Sequence, residues 1–276
     1  MVLSINSLGS SVALSGIDRA QASQKAAVEK LVSGLRVNRA ADDASGLSIS
    51  TGLQSQIRGL NNASMNGQNA VSLLQTADGG LGQTTSQLQR VRDLTVQAAG
   101  TDDPGALSAI SKEVEQSLAE IDQISQGTVF GSQSLLDGSL SNGTNFQIGA
   151  SGASSDQFNV AIPGASQNAL GLGGLATAIN GGGASGALAS IDAAINGVGA
   201  TRTNIGAATN ALGSAVSAIG TEILNATSAN SQIMDADWAE QIVNSQRSSI
   251  QTQAGISVLQ AQNDSNRSLL SLLRAG

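Results

Sequence analysis

The residues able to do chemistry are few and narrow in kind. The chain has neither Cys nor His. That removes disulfides, thiolate metal sites and Cys nucleophiles, and with them the commonest general base and metal ligand. What remains is carboxylate and guanidinium chemistry, and it gathers in two places. Arg36, Arg39, Asp42 and Asp43 lie in KLVSGLRVNRAADDASGLSIS (30–50), and Asp235 and Asp237 lie in DADWAEQI (235–242). Such carboxylates could hold a divalent cation, but the ligand spacing of a calcium loop is missing. An Asp just ahead of an apolar run has a simpler use, accepting the free N–H groups of a new helix. Gly171 to Ala176 (GLGGLA) formally fits a dinucleotide fingerprint, yet no parallel strand unit precedes it. The expectation is therefore no catalytic residue, no metal, no cofactor and no enzyme.

The elements around these residues are helical. Aromatics are scarce, with three Phe, one Trp and no Tyr in 276 residues. An Ala/Leu/Ile/Val core of this kind suits thin helical layers meeting along seams. Only Pro104 and Pro163 interrupt the chain. Steps of three and four recur at Leu14, Ile17, Gln21, Gln24, Val28, Leu31 and Leu35, which is a weak stripe with two Gln in it. A second helix is predicted from Leu47 to Ala99, with its seam at Leu53, Ile57, Leu60, Ser64, Gly67, Val71, Leu74, Asp78, Leu81, Thr85 and Leu88. Asp103-Pro104 restarts a third. The cleanest heptad runs from Leu188 to Ile233 and includes Arg202. Such a helix is roughly 65–70 Å long, and among the others only 47–99 is long enough to cover it. A last helix carries Val243, Ile250, Ala254, Val258, Ala261, Leu269 and Leu272 on one thin face.

Between the halves the period drops toward two. Phe146 and Ile148, then Phe158, Val160 and Ile162, predict a β-hairpin, with Asp137-Gly138 and Asn142-Gly143 as turn signals. Residues 163–186 read as a low-complexity surface loop. The fold class is mainly α: a long antiparallel coiled coil or bundle built from both chain ends, with a small β-hairpin mid-chain. Five segments are expected: 1–40 and 235–276 as terminal helices, 41–126 and 188–234 as the two parts of a helical core, and 127–187 as hairpin and loop. Residues 30–50 become a hinge. Net charge is −7 with no basic run, so no nucleic acid is expected as partner. No membrane span is predicted either, and the N-terminus MVLSINSLGSSVAL lacks the layout of a cleaved signal.

The order of residues carries more than their pattern. SGLRVNRAADDASGLSIS (33–50) closely resembles the SGLRINSAADDAAGLAIS segment of bacterial flagellins. LLQTADGGL, LQRVRDLTVQAA, VFGSQSLLDG, DADWAEQI and the C-terminal QAGISVLQAQN with SLLSLLR resemble further flagellin motifs in the same order. The resemblance covers nearly the whole chain. It implies a secreted, extracellular structural subunit, exported without a cleaved signal peptide, that polymerises with itself into the flagellar filament for motility. A hook–filament junction protein is the alternative. With only 127–187 between the halves, large outer domains are not expected.

The resemblance also implies partners: an export chaperone, cap and junction proteins, and an animal innate-immune receptor. The receptor surface carries over to Gln89, Arg90, Leu94 and Glu113, with Asp93 where the family usually has Glu. Subunit contacts and hinge functions fall to Leu31, Gly34, Leu35, Arg36, Arg39, Asp42, Asp43, Ile250, Val258, Leu269 and Leu272. Terminal helices so weakly apolar are expected to order only on assembly.

Overall fold

A computed structural model describes the backbone of residues 2–275 and the side chains of 10–268 and 271. The chain order is α1 (Val2–Ser33), α2 (Ala44–Ala99), α3 (Pro104–Gly127), β1 (Val129–Phe130), β2 (Gln133–Ser134), β3 (Thr144–Gln147), β4 (Gln157–Val160), α4 (Leu175–Asn180), α5 (Ala184–Met234) and α6 (Trp238–Ala275). The chain divides into two units, residues 56–224 and residues 1–55 with 225–276.

The larger unit is organised by α2 and α5 running antiparallel, as their heptads require. Leu60 and Ala63 pack with Ile219 at one end of this pairing. Further along, Gly67 lets α5 come close at Val216. The two charged positions interrupting the seams meet each other: the Arg202 guanidinium donates to both Asp78 oxygens at 2.8 and 3.2 Å. Arg92 and Asp192 pair at 2.8 Å further on. A charged residue inside each stripe thus becomes a marker of register, because any slip would leave both without a partner.

Helix α3 begins where Asp103 accepts from the N–H groups of Gly105 and Ala106, with Pro104 in the first turn. It adds Leu107, Ile110, Val114, Leu118 and Ile121 to the same core. β1 and β2 form a two-residue pair, and β3–β4 form the expected hairpin, with Phe146 opposite Phe158. Gly138 and Gly143 take positive φ at the two expected turns.

The segment after the hairpin departs from expectation. Residues 163–186 are no surface loop: Ala165, Leu172, Leu175 and Ile179 are buried in the main core, and Leu175–Asn180 is helical. Asp122 of α3 ties the segment down, accepting from the Gln167 backbone N–H at 2.8 Å and its side-chain amide at 2.7 Å. Composition concealed this, since a few Leu and Ile among many Gly and Ala are enough to close a core end. Helix α5 consequently starts at Ala184, earlier than its first heptad leucine.

Leu172→Ala is expected to destabilise this unit by about 2–5 kcal/mol, whereas the half-buried Leu170→Ala costs less. Urea unfolding followed by circular dichroism checks the difference.

Candidate subunit-contact site

The smaller unit is held together at the point where both connections pass. Lys30 lies in the last turn of α1, and Gly34, at φ +72°, donates to the Lys30 carbonyl at 2.9 Å as a left-handed cap. Leu35 then lies antiparallel to Asp235, and the Ala236 N–H donates to the Gly34 carbonyl at 2.9 Å. Val37 is buried beside this crossing.

The charged residues serve the crossing. Arg36 donates to the Ile233 carbonyl at 2.7 Å and lies 3.8 Å from Asp43. Arg39 reaches both Glu29 oxygens at 2.8 and 2.9 Å. Asp42 accepts from the N–H groups of Asn38 and Arg39 at 3.1 and 2.9 Å. Asp43 accepts from Gly46 N–H at 2.8 Å and so starts α2, while Asp237 does the same for α6 through Ala239 and Glu240. Asp235 accepts from the Ser231 hydroxyl. Ser50 donates to the Asn230 side chain at 2.7 Å. The structure thus brings Arg36, Arg39, Asp42 and Asp43 together as intramolecular fasteners. Among the described residues no cluster of three or more Asp or Glu is arranged to hold a metal.

Helices α1 and α6 run antiparallel from this crossing. The face of α1 turned inward is Ala13, Ile17, Ala20, Gln24, Ala27 and Leu31, each half-buried or better. Opposite are Gln241, Ser245, Ser248, Thr252, Gly255 and Leu259. Ile17 sits so close to Gly255 that a Cβ there would lie 2.7 Å from its Cγ1. The stripe expected on α6 is therefore not the inner seam. Val243, Ile250 and Val258 point outward, the last two 63% and 57% exposed. On α1, Leu14 and Val28 are likewise exposed, and Val32 more so at 84%. On α6 the small, polar stripe faces inward, where Gly255 permits the close approach of Ile17. Leu269 and Leu272 lie outside the residues whose side chains are described. Val32 and Ile242 join the outward set although heptad spacing does not pick them out as contact residues. An apolar side chain out of phase with the inner seam is the signal that marks them.

In the larger unit, Gln89 and Arg90 are exposed on α2, Leu94 is half-buried against the core, and Arg90 pairs with Glu113 of α3 at 2.6 Å.

The protein thus has helical ends paired through a tight seam, with apolar stripes turned outward. Its sequence matches the bacterial flagellin N-terminal helical region over residues 5–141 and the bacterial flagellin C-terminal helical region over 188–273. Flagellin FlaB1 of Treponema pallidum (strain Nichols) is 38% identical over 265 residues, covering 90% of this chain and 91% of that protein. The flagellin of Bacillus subtilis (strain 168) is 37% identical over 286 residues, covering 92% and 93%. The crystal structure of Bacillus cereus flagellin aligns over 56% of this chain and 88% of that one, at 30% identity and a TM-score of 0.48. The chain belongs to the bacterial flagellin family, and it is a structural subunit of the flagellar filament.

Gly34→Ala is expected to cost about 1–2 kcal/mol through the left-handed backbone alone, read as a lowered melting temperature. The N–H groups of Arg39 and Asn38, then the charges of Lys30 and Arg39, hold the Asp42 carboxyl below its ordinary 3.8. A depressed carboxylate stabilises the fold fully above the ordinary value, and the contribution fades as pH falls through the lowered one. Hydrogen-exchange protection of the Asn38 and Arg39 amides should therefore drop below about pH 4, and Asp42→Asn should remove that dependence.

Proposed function

We propose that the terminal helices complete their burial only in the filament, where the outward stripe containing Ile250 and Val258 is covered by neighbouring subunits. The observation that carries this reading is the mismatch between the two faces of α6. Its large apolar residues are exposed while Ser248 and Gln241 are buried. Each apolar side chain covered on assembly contributes about 1.5–3 kcal/mol gross, against the cost of ordering the helices. Leu31, Leu35, Leu269 and Leu272 belong to the same assembly-dependent region. Gly34, Arg36, Arg39, Asp42 and Asp43 form the hinge that presents it.

On this reading residues 1–40 and 235–276 are the filament-core helices, and 41–126 with 188–234 form the helical core domain. Residues 127–187 are its hairpin and the segment that closes one end of its core. Export through the flagellar apparatus without a cleaved leader fits the same assignment, with a chaperone on the C-terminal helix and cap and junction proteins at the filament ends. Among the described residues no helix is long and apolar enough to cross a membrane. Gln89, Arg90, Leu94 and Glu113 constitute a surface for an animal innate-immune receptor, supported by the exposed Arg90–Glu113 pair.

Seeded polymerisation of the purified chain, followed by electron microscopy, tests the assembly reading. Ile250→Asp with Val258→Asp should abolish long filaments and leave the helical core folded by circular dichroism. Normal filaments from that variant would overturn it. In a receptor reporter-cell assay, Arg90→Ala should weaken the response to soluble subunit, and a silent wild-type protein would remove the receptor assignment.

A further inference from the structure

The smaller unit carries an outward knob and a concave groove that belong to different patches. The knob is the start of α6, where Trp238 is 59% exposed and Ile242, one turn on, is also exposed. A Trp is ordinarily among the most covered of side chains in a fold or interface. Here it is held in place by the Asp237 cap beside it and by the Ala236–Gly34 hydrogen bond. Asp235, Asp237 and Glu240 surround it in sequence, so the apolar knob has an acidic rim. Glu240 forms no ion pair among the described residues.

The groove runs along α1 and has a volume of about 890 Å³. Val28 and Val32 supply its apolar wall, with Lys25, Glu29, Asn38 and Thr252 around them. Arg39 neutralises Glu29. The charge left to the groove is Lys25, which forms no ion pair among the described residues. Trp238 and Ile242 do not line the groove of their own subunit. Knob and groove therefore match in apolar character and oppose in charge. Two different patches that fit each other make a heterologous contact, and repetition of such a contact yields an open helical polymer where the rotation does not close into a ring.

We propose that Trp238 and Ile242 of one subunit seat in the Lys25–Val28–Val32 groove of a second copy, with Lys25 facing Glu240. This rests on the filament-subunit assignment and names one of its contacts. An ammonium beside an indole also gains from the ring's negative face, so the pairing serves Trp238 as well as the carboxylate.

The full-length protein supplies its own reporter, since Trp238 is the single Trp and Tyr is absent. On seeded polymerisation the emission should shift to shorter wavelength and become resistant to iodide quenching. Lys25→Glu and Glu240→Lys should each slow filament elongation by about tenfold or more, and the double exchange should restore most of the rate. If wild-type filaments form with unchanged Trp emission, the knob is not seated and the proposal falls while the filament assignment stands. The proposal falls equally if Lys25→Glu elongates normally, or if the double exchange fails to restore the rate; the groove then serves another occupant. Failure of the wild-type chain to polymerise on seeds would remove the filament assignment and the proposal together.

Discussion

Two pieces of chain two hundred residues apart in sequence share backbone hydrogen bonds where Gly34–Arg36 runs past Met234–Ala236. The smaller unit depends on that short crossing. Both connections that meet there must leave one helix and begin another within a few residues, and each loses the helical partners of its N–H and C=O groups in doing so. Pairing the connections with each other satisfies part of that need. The remainder is met by carboxylates, Asp42 and Asp43 on one side and Asp237 on the other. A dense run of charge that looks reactive in the sequence is thus consumed by backbone geometry.

The ion pairs elsewhere have a different task. Arg202–Asp78, Arg92–Asp192 and Arg90–Glu113 are all substantially exposed, and exposed pairs contribute little net stability. Their value lies in discrimination. Long antiparallel helices with repetitive small side chains can slide by a heptad at little cost, whereas a slid pairing would separate Asp78 from Arg202. Register in the larger unit comes from those charges and from the uneven sizes along the seam, such as Gly67 against Val216.

The fold was legible where one stripe dominates a helix. In α2 and α5 a single heptad set faces the core, so Leu60, Leu74, Leu88, Ile205 and Leu212 fell on the buried side as the spacing required. In α1 and α6 two stripes compete, and hydrophobicity alone chose the outer one on α6. The inner seam was illegible because Ala, Ser and Gly are selected there for closeness rather than for apolar area. The Gly-rich segment after the hairpin misled for a related reason: its composition is that of a loop, while the positions of Leu172, Leu175 and Ile179 are those of a plug. The break between α1 and α2 was legible through Gly34 and the paired Asp residues. The partners of its charges were not, since Glu29, Ile233 and Gly46 become neighbours only through the crossing.

That plug decides where the chain tolerates being opened. Residues 163–183 seal one end of the core through buried aliphatic side chains and the Asp122–Gln167 tie, so added sequence there would unseat packed groups. The turn between β3 and β4 is built differently. Residues 150–155 are exposed, and the turn is closed largely by Asp156 bonding to Ser151. Ala150 at its base rests against Gly59 of α2, so foreign peptides grafted past it, at 152–154, would stand at the sort of exposed tip where insertions are best tolerated. Repeated along a polymer of subunits, such a graft would become a regularly spaced display.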